Sequence, residues 1–130
     1  MTINYNFMTL TKINQEFNRG DIMKFAVNNQ EWQLLFVNPS NSNLKRSDGS
    51  ITIGMTDNNT RTVYINNRLS DYMTNKVLAH EICHVFAFSF DYSMPIEVEE
   101  TVADFFSLFG RDMINLLDDL TLILKKAYIA

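Results

Sequence analysis

The sequence predicts an α+β domain, and three observations carry that prediction. An alternating apolar pattern folds back on itself around turn residues in the middle of the chain, apolar residues recur at helical spacing on either side of it, and capping residues stand at the expected helix boundaries. Leu10, Ile13 and Phe17 recur at helical spacing ahead of Gly20, which predicts an N-terminal helix. Residues 21–30 fit neither pattern. Apolar density from Trp32 to Val37 predicts a strand that Asn38-Pro39-Ser40 ends, and the polar stretch to Ser50 reads as a loop. Ile51, Ile53 and Met55 alternate with Thr52, Gly54 and Thr56. Asp57-Asn58-Asn59 then supplies turn chemistry before Arg61 to Asn66 alternates again, the pattern of a β-hairpin. Ser70 and Asp71 cap a long helix expected to run to about Phe90, where Asp91-Tyr92-Ser93 breaks it. Pro95 suits the first turn of a further helix to about Phe109, Gly110 closes it, and a last helix is expected from Asp112 to about Tyr128. The expected order is one helix, a small three-stranded sheet with its hairpin, then three helices, all in one domain spanning residues 1–130.

With 130 residues, 46% of them hydrophobic, the chain can bury a real core. Its net charge of −4 leaves no basic stripe to track a phosphate backbone, which argues against a nucleic-acid partner. No apolar run approaches bilayer length, and the tail from Leu116 to Ala130 is interrupted by Asp118-Asp119 and Lys125-Lys126. The first residues lack the basic start and apolar stretch of a signal peptide, and the single cysteine, Cys83, cannot form an internal disulfide. A cytoplasmic protein without membrane contact is the expectation.

The chemistry concentrates in His80-Glu81-Ile82-Cys83-His84, an HExxH pentapeptide holding both histidines of the chain. On a helix, residues four apart lie one turn apart on the same face, so two imidazoles can converge on one ion. Glu81 falls on the adjoining face, where it can act as catalytic base toward a water activated by the metal. Zinc suits this donor set, because catalytic zinc takes nitrogen and oxygen ligands and keeps one position open. Val77, Leu78, Ala79, Ile82, Val85, Phe86 and Phe88 surround the pentapeptide and predict a buried helix, in which a cation offsets the desolvation of the polar groups. The bland alternative is one hydrogen-bonded core histidine beside an accidental second one. Cys83 reads as a small packing residue, with a thiol nucleophile as the weaker reading.

With no third histidine, the remaining ligand is expected among Glu97, Glu99, Glu100 and Asp104. Taking Glu100 as zero, Asp104 falls at about +40°, Glu97 at about +60° and Glu99 at about −100° on a helix. Glu100 is the favoured ligand and Asp104 the carboxylate expected to accept the other ring proton of a ligating histidine. Glu97 and Glu99 read as a solvated acidic first turn that complements the helix dipole, with Glu97 kept as the alternative ligand. Val98, Val102, Phe105 and Phe109 form an opposite stripe expected to pack into the core or onto the last helix.

His80 to His84, followed by Glu100-Thr101-Val102-Ala103-Asp104-Phe105-Phe106, resembles the gluzincin metallopeptidases, in which a second helix carries a glutamate ligand. The short spacing looks most like the ImmA/IrrE family and the minimal gluzincins of phages and mobile elements. The likeness runs from about Ile51 to Phe109. Cys83 stands where many of these proteins have glycine, and no fused helix-turn-helix is expected. The resemblance implies a zincin-like fold, Zn2+ as cofactor and hydrolysis of peptide bonds in a protein or peptide substrate, with regulatory proteins as a candidate class. It also implies that Val63 to Asn66 is the edge strand on which an extended substrate is bound. Tyr64, Tyr72 and Tyr92 are candidate oxyanion donors. The rival readings are a non-enzymatic zinc-binding regulatory module and a peptidase kept latent by one of its own ends.

Overall fold

The structure is a computed structural model that describes residues 5–6 and 22–129. The expected helix around Leu10, Ile13 and Phe17 lies outside the described residues. Five strands, β1 (Tyr5–Asn6), β2 (Met23–Val27), β3 (Gln30–Val37), β4 (Gly54–Asp57) and β5 (Thr62–Asn66), form one sheet in the order β1-β2-β3-β5-β4. Among the described residues only the β3 and β5 pair is parallel. Two helices follow, α1 (Asp71–Ser89) and α2 (Ile96–Ile129).

The sheet is thus larger than the three strands expected. The unassigned stretch from residue 21 to 30 supplies β2, which turns into β3 through Asn28 and Asn29 at φ 51° and 62°. Two successive positive φ values define the turn that matches strand twist, and asparagine tolerates them better than most residues. The loop from Asn38 to Ser50 holds a single 3-10 turn at Ser42–Leu44, with Leu44 fully buried beneath it. The hairpin is present, but its first strand starts at Gly54, leaving Ile51 71% exposed. β5 is not an edge strand: β3 pairs with it on one side and β4 on the other. The edge is β4.

Val27, Trp32, Leu34, Val63 and Ile65 from the sheet pack against Val77 and Val85 of α1 to form the core. The C-terminal end of α1 is fastened by Trp32, whose indole N–H donates to Ser89 Oγ at 2.8 Å, and by Asn28, whose amide donates to the Ser89 carbonyl at 2.9 Å. The other end is capped as the sequence predicts, Ser70 Oγ accepting from the Met73 N–H. β4 passes so close to α1 that a Cβ at Gly54 would lie 2.5 Å from Val77 Cγ1 and 3.2 Å from Glu81 Cγ. Glycine is therefore required there by the approach of the strand to the helix.

The two helices expected after Pro95 are one. The Pro95 carbonyl accepts from the Val98 and Glu99 N–H groups and starts α2, which continues through Gly110 for 34 residues, about 50 Å at about 1.5 Å per residue. Gly110 stays helical, with no proline or turn cluster following it, and the Phe106 ring fills the space a Cβ there would take. A single interior glycine costs a helix only about 1 kcal/mol. With no separate last helix to cover them, Val98, Val102, Phe105 and Phe109 are 46–53% exposed, and every described side chain from Arg111 to Tyr128 is exposed. None of the described helices is long and apolar enough to cross a membrane.

Candidate metal centre

α1 and α2 run antiparallel, with Arg111 donating to Asn75 at one end of their contact and His84 facing Glu99 at the other. The fully buried Ala103 lets the helices approach between these points. His80 and His84, one turn apart on α1, direct their Nε2 atoms toward each other at 3.3 Å. Glu100 straddles them, Oε2 lying 3.1 Å from His80 Nε2 and Oε1 3.1 Å from His84 Nε2. The ligand atoms of His80, His84 and Glu100 all fall within 4.8 Å of one another.

The far side of each ring faces a carboxylate. His80 Nδ1 is 2.9 Å from Asp104 Oδ1, and His84 Nδ1 is 2.5 Å from Glu99 Oε2. A carboxylate accepts only, so each Nδ1 carries a proton outward, and in the neutral imidazole that leaves the lone pair on Nε2. Both Nε2 atoms and the Glu100 carboxylate converge on one point, and as a donor set the residues present fit a divalent ion on their own geometry.

Glu81 is beside this cluster and does not belong to it. Its Oε2 lies 3.8 Å from His80 Nε2, while Oε1 accepts the Thr56 hydroxyl at 2.9 Å. Burial pushes its carboxyl above the ordinary carboxylate value, opposed by the Thr56 hydrogen bond, and the neighbouring Glu100 charge adds to the rise. Thr56 thus fixes one oxygen and leaves the other free. Cys83 is half-buried, and desolvation pushes its thiol up to about 11, so it is protonated at neutral pH and suits packing better than nucleophilic attack.

The structure brings His80, Glu81, His84, Glu100 and Asp104 together, and it corrects the reading of Glu99. That residue is not part of a solvated acidic turn: it is 8% exposed and bonded to His84, whereas Glu97 is exposed. The reason is helical phase. α2 buries Glu99, Ala103 and Gly110 against the rest of the fold, a face about 80° away from the one centred on Glu100, so Glu99 points at α1. The tyrosines also miss the site. Tyr72 and Tyr92 are 73% and 66% exposed, and neither they nor Tyr64 line the two cavities that open on the cluster. Those cavities, of about 360 and 200 Å3, share Arg46, Thr52, Gly54, His80, Glu81 and Glu100. Thr56 and Arg46 had no signal in the pattern: one is an ordinary strand residue, the other part of a short basic pair in a polar loop.

A family model of the IrrE N-terminal-like domain, a peptidase family, matches residues 28–117. The chain belongs to this family. The match runs from the turn that leads into β3 to the middle of α2 and includes every residue of the cluster. No curated protein and no solved structure matches the chain. As an IrrE N-terminal-like domain, the chain has the general character of a metallopeptidase, and its His80, His84 and Glu100 form a geometrically feasible metal site.

Proposed function

We propose that this IrrE N-terminal-like domain is a zinc-dependent metallopeptidase of the gluzincin type, with His80, His84 and Glu100 as ligands and Glu81 as general base. The observation that carries the reading is the convergence of His80 Nε2, His84 Nε2 and the Glu100 carboxylate within 4.8 Å, beside a buried carboxylate that is not one of them. The mixed nitrogen and oxygen donor set favours zinc over the oxygen-only sites of calcium or magnesium. When bound, zinc acidifies water and polarises a scissile carbonyl.

The residues of the chain supply the rest. Glu81 takes a proton at Oε2, the oxygen that Thr56 leaves free, and returns it to the leaving amine. Burial brings its basicity closer to neutrality, which suits a group that must both accept and release a proton. Asp104 and Glu99 orient the two imidazoles through their Nδ1 protons. An extended peptide is bound along β4, the edge strand beside α1, by main-chain hydrogen bonds, with Met55 and Thr56 next to Glu81. The substrate is a cytoplasmic protein or peptide, with regulatory proteins the class to test first; nucleic acid and membrane are not partners. A purely structural zinc module has no use for Glu81, and its carboxylate at this position weighs against that rival.

The test is Glu81→Gln against the wild type on an unfolded protein such as carboxymethylated casein. The variant is expected to keep one zinc per chain and the wild-type thermal midpoint and to lose cleavage by at least about a hundredfold, the scale of general acid–base catalysis. Undiminished cleavage by the variant would refute the mechanism.

A further inference from the structure

The larger cavity beside the cluster carries two cations that the peptidase reading has not used. Arg46, from the loop between β3 and β4, and Lys76, on α1 one turn before His80, both line it together with Glu100 and Asp104. The backbone around Arg46 is held in a tight turn: its N–H donates to the Ser50 carbonyl at 2.7 Å and its carbonyl accepts from Gly49 at 2.9 Å. Its guanidinium makes a single long hydrogen bond among the described residues, from Nη2 to Thr52 Oγ1 at 3.4 Å. Lys76 is half-buried and has no ion pair among the described residues.

Glu81, Glu100 and Asp104 line the same cavity, yet none of them pairs with either cation among the described residues. Glu100 lies between the two imidazoles and Asp104 against His80 Nδ1. Arg46 and Lys76 line a cavity of about 360 Å3, within the range of small-ligand sites, and neither makes an ion pair with a carboxylate of that cavity among the described residues. Asp48 feels the charge of Arg46 but is bonded to Ser50, and it does not line the cavity. A carboxylate entering the cavity suits both cations, since a guanidinium binds it in a forked geometry and an ammonium complements it as a point charge. The cavity on the other side of the cluster shares Arg46 but not Lys76, and it includes Met55, Phe88 and Ile96. Only one direction along the cleft therefore combines both cations.

We propose that Arg46 and Lys76 bind a carboxylate of the substrate next to the scissile bond, so that the domain selects peptides carrying an acidic group on one side of the cleavage point. The proposal rests on the peptidase reading and deepens it. The carboxylate comes from an aspartate or glutamate side chain or from the C-terminus of the peptide, and the experiment separates the two.

Zinc-loaded Glu81→Gln protein, which cannot turn over its ligand, is equilibrated with a random N-acetylated heptapeptide library, and bound peptides are read by mass spectrometry. One library has amidated C-termini and a second has free acids. Enrichment of aspartate or glutamate at one position in the amidated library assigns the side chain. Preferential capture of free acids regardless of sequence assigns the C-terminus. Adding Arg46→Ala and Lys76→Ala is expected to reduce the preference roughly tenfold to a hundredfold, the scale of a hydrogen bond between charged groups. The double reversal Arg46→Glu with Lys76→Glu is expected to favour lysine and arginine instead. Zinc content and thermal midpoint are measured on each variant, and the double reversal shows a gain that an unfolded chain cannot produce. Absence of acidic or C-terminal preference, or a preference unchanged in both double variants, overturns the proposal. Failure of the wild type to cut peptides that the Glu81→Gln protein captures overturns the peptidase reading and leaves the carboxylate site standing.

Discussion

Removing the Glu99 side chain tests how the histidines are held. Glu99 Oε2 is 2.5 Å from His84 Nδ1, and both side chains are nearly buried, at 11% and 8% exposure. In Glu99→Ala the Nδ1–H loses its acceptor in a place that water reaches poorly. The imidazole then loses the preference for the tautomer that presents Nε2 inward. Loss of such an orienting carboxylate costs about 10 to 100-fold in metal affinity, or roughly 1.4 to 2.7 kcal/mol. Asp104→Ala removes the equivalent partner of His80, but Asp104 is 68% exposed and water can replace it, so its effect is expected at or below the lower end of that range. Glu97 lies outside the cluster, and Glu97→Ala is expected to bind zinc as the wild type does. Glu100→Ala, which removes a ligand, is expected to exceed all three. Competitive zinc titration against a chromophoric chelator, with the apo-protein thermal midpoint as a control for folding, gives the order directly. If Glu99→Ala binds zinc within about threefold of the wild type while Asp104→Ala is impaired more, the argument from burial is wrong and the His84 tautomer is set by something else.

Two further predictions come from packing and ionisation. Gly54→Ala places a Cβ 2.5 Å from Val77 Cγ1 on the strand that touches the Glu81 side chain, and it is expected to cost about 1 to 3 kcal/mol by overpacking, read as a lowered urea midpoint. An unchanged midpoint would mean that β4 moves freely away from α1. Cys83, with its thiol pushed up to about 11, is expected to react slowly with iodoacetamide in the native protein at pH 8 and about tenfold faster for each pH unit toward that value. Its folded value is above the unfolded value of about 8.5, so the native state keeps a proton that the unfolded state has released, and stability falls as pH rises through that window. Alkylation at pH 8 as fast as in urea would contradict the burial of the thiol.

The pentapeptide and its partner were legible because they depend on local geometry. Spacing of four on a capped helix makes two histidines converge wherever that helix lies, and Glu100 with Asp104 repeats the same arithmetic one helix later. Helix α1 itself was legible from Ser70 to Ser89 for the same reason. Local pattern was a poorer guide where neighbours decide. The stripe of Val98, Val102, Phe105 and Phe109 looks like a core face, yet it is exposed because the sequence beyond Gly110 prolongs the helix when it was expected to fold back. Strand β2 had no clean alternation, since its identity comes from pairing with β3 across the Asn28-Asn29 turn.

The sequence by itself determined which side chains can meet within one helix: the two histidines, the base beside them, and the glutamate with its acidic neighbour a turn away. Tertiary structure alone decided which face of α2 meets α1, because rotating a helix about its axis changes its neighbours without changing its own hydrogen bonds. That rotation makes Glu99 the partner of His84. Strand order, set by long-range pairing that no local pattern encodes, makes β4 and not β5 the edge beside Glu81 and brings Arg46 from a distant loop to the mouth of the site.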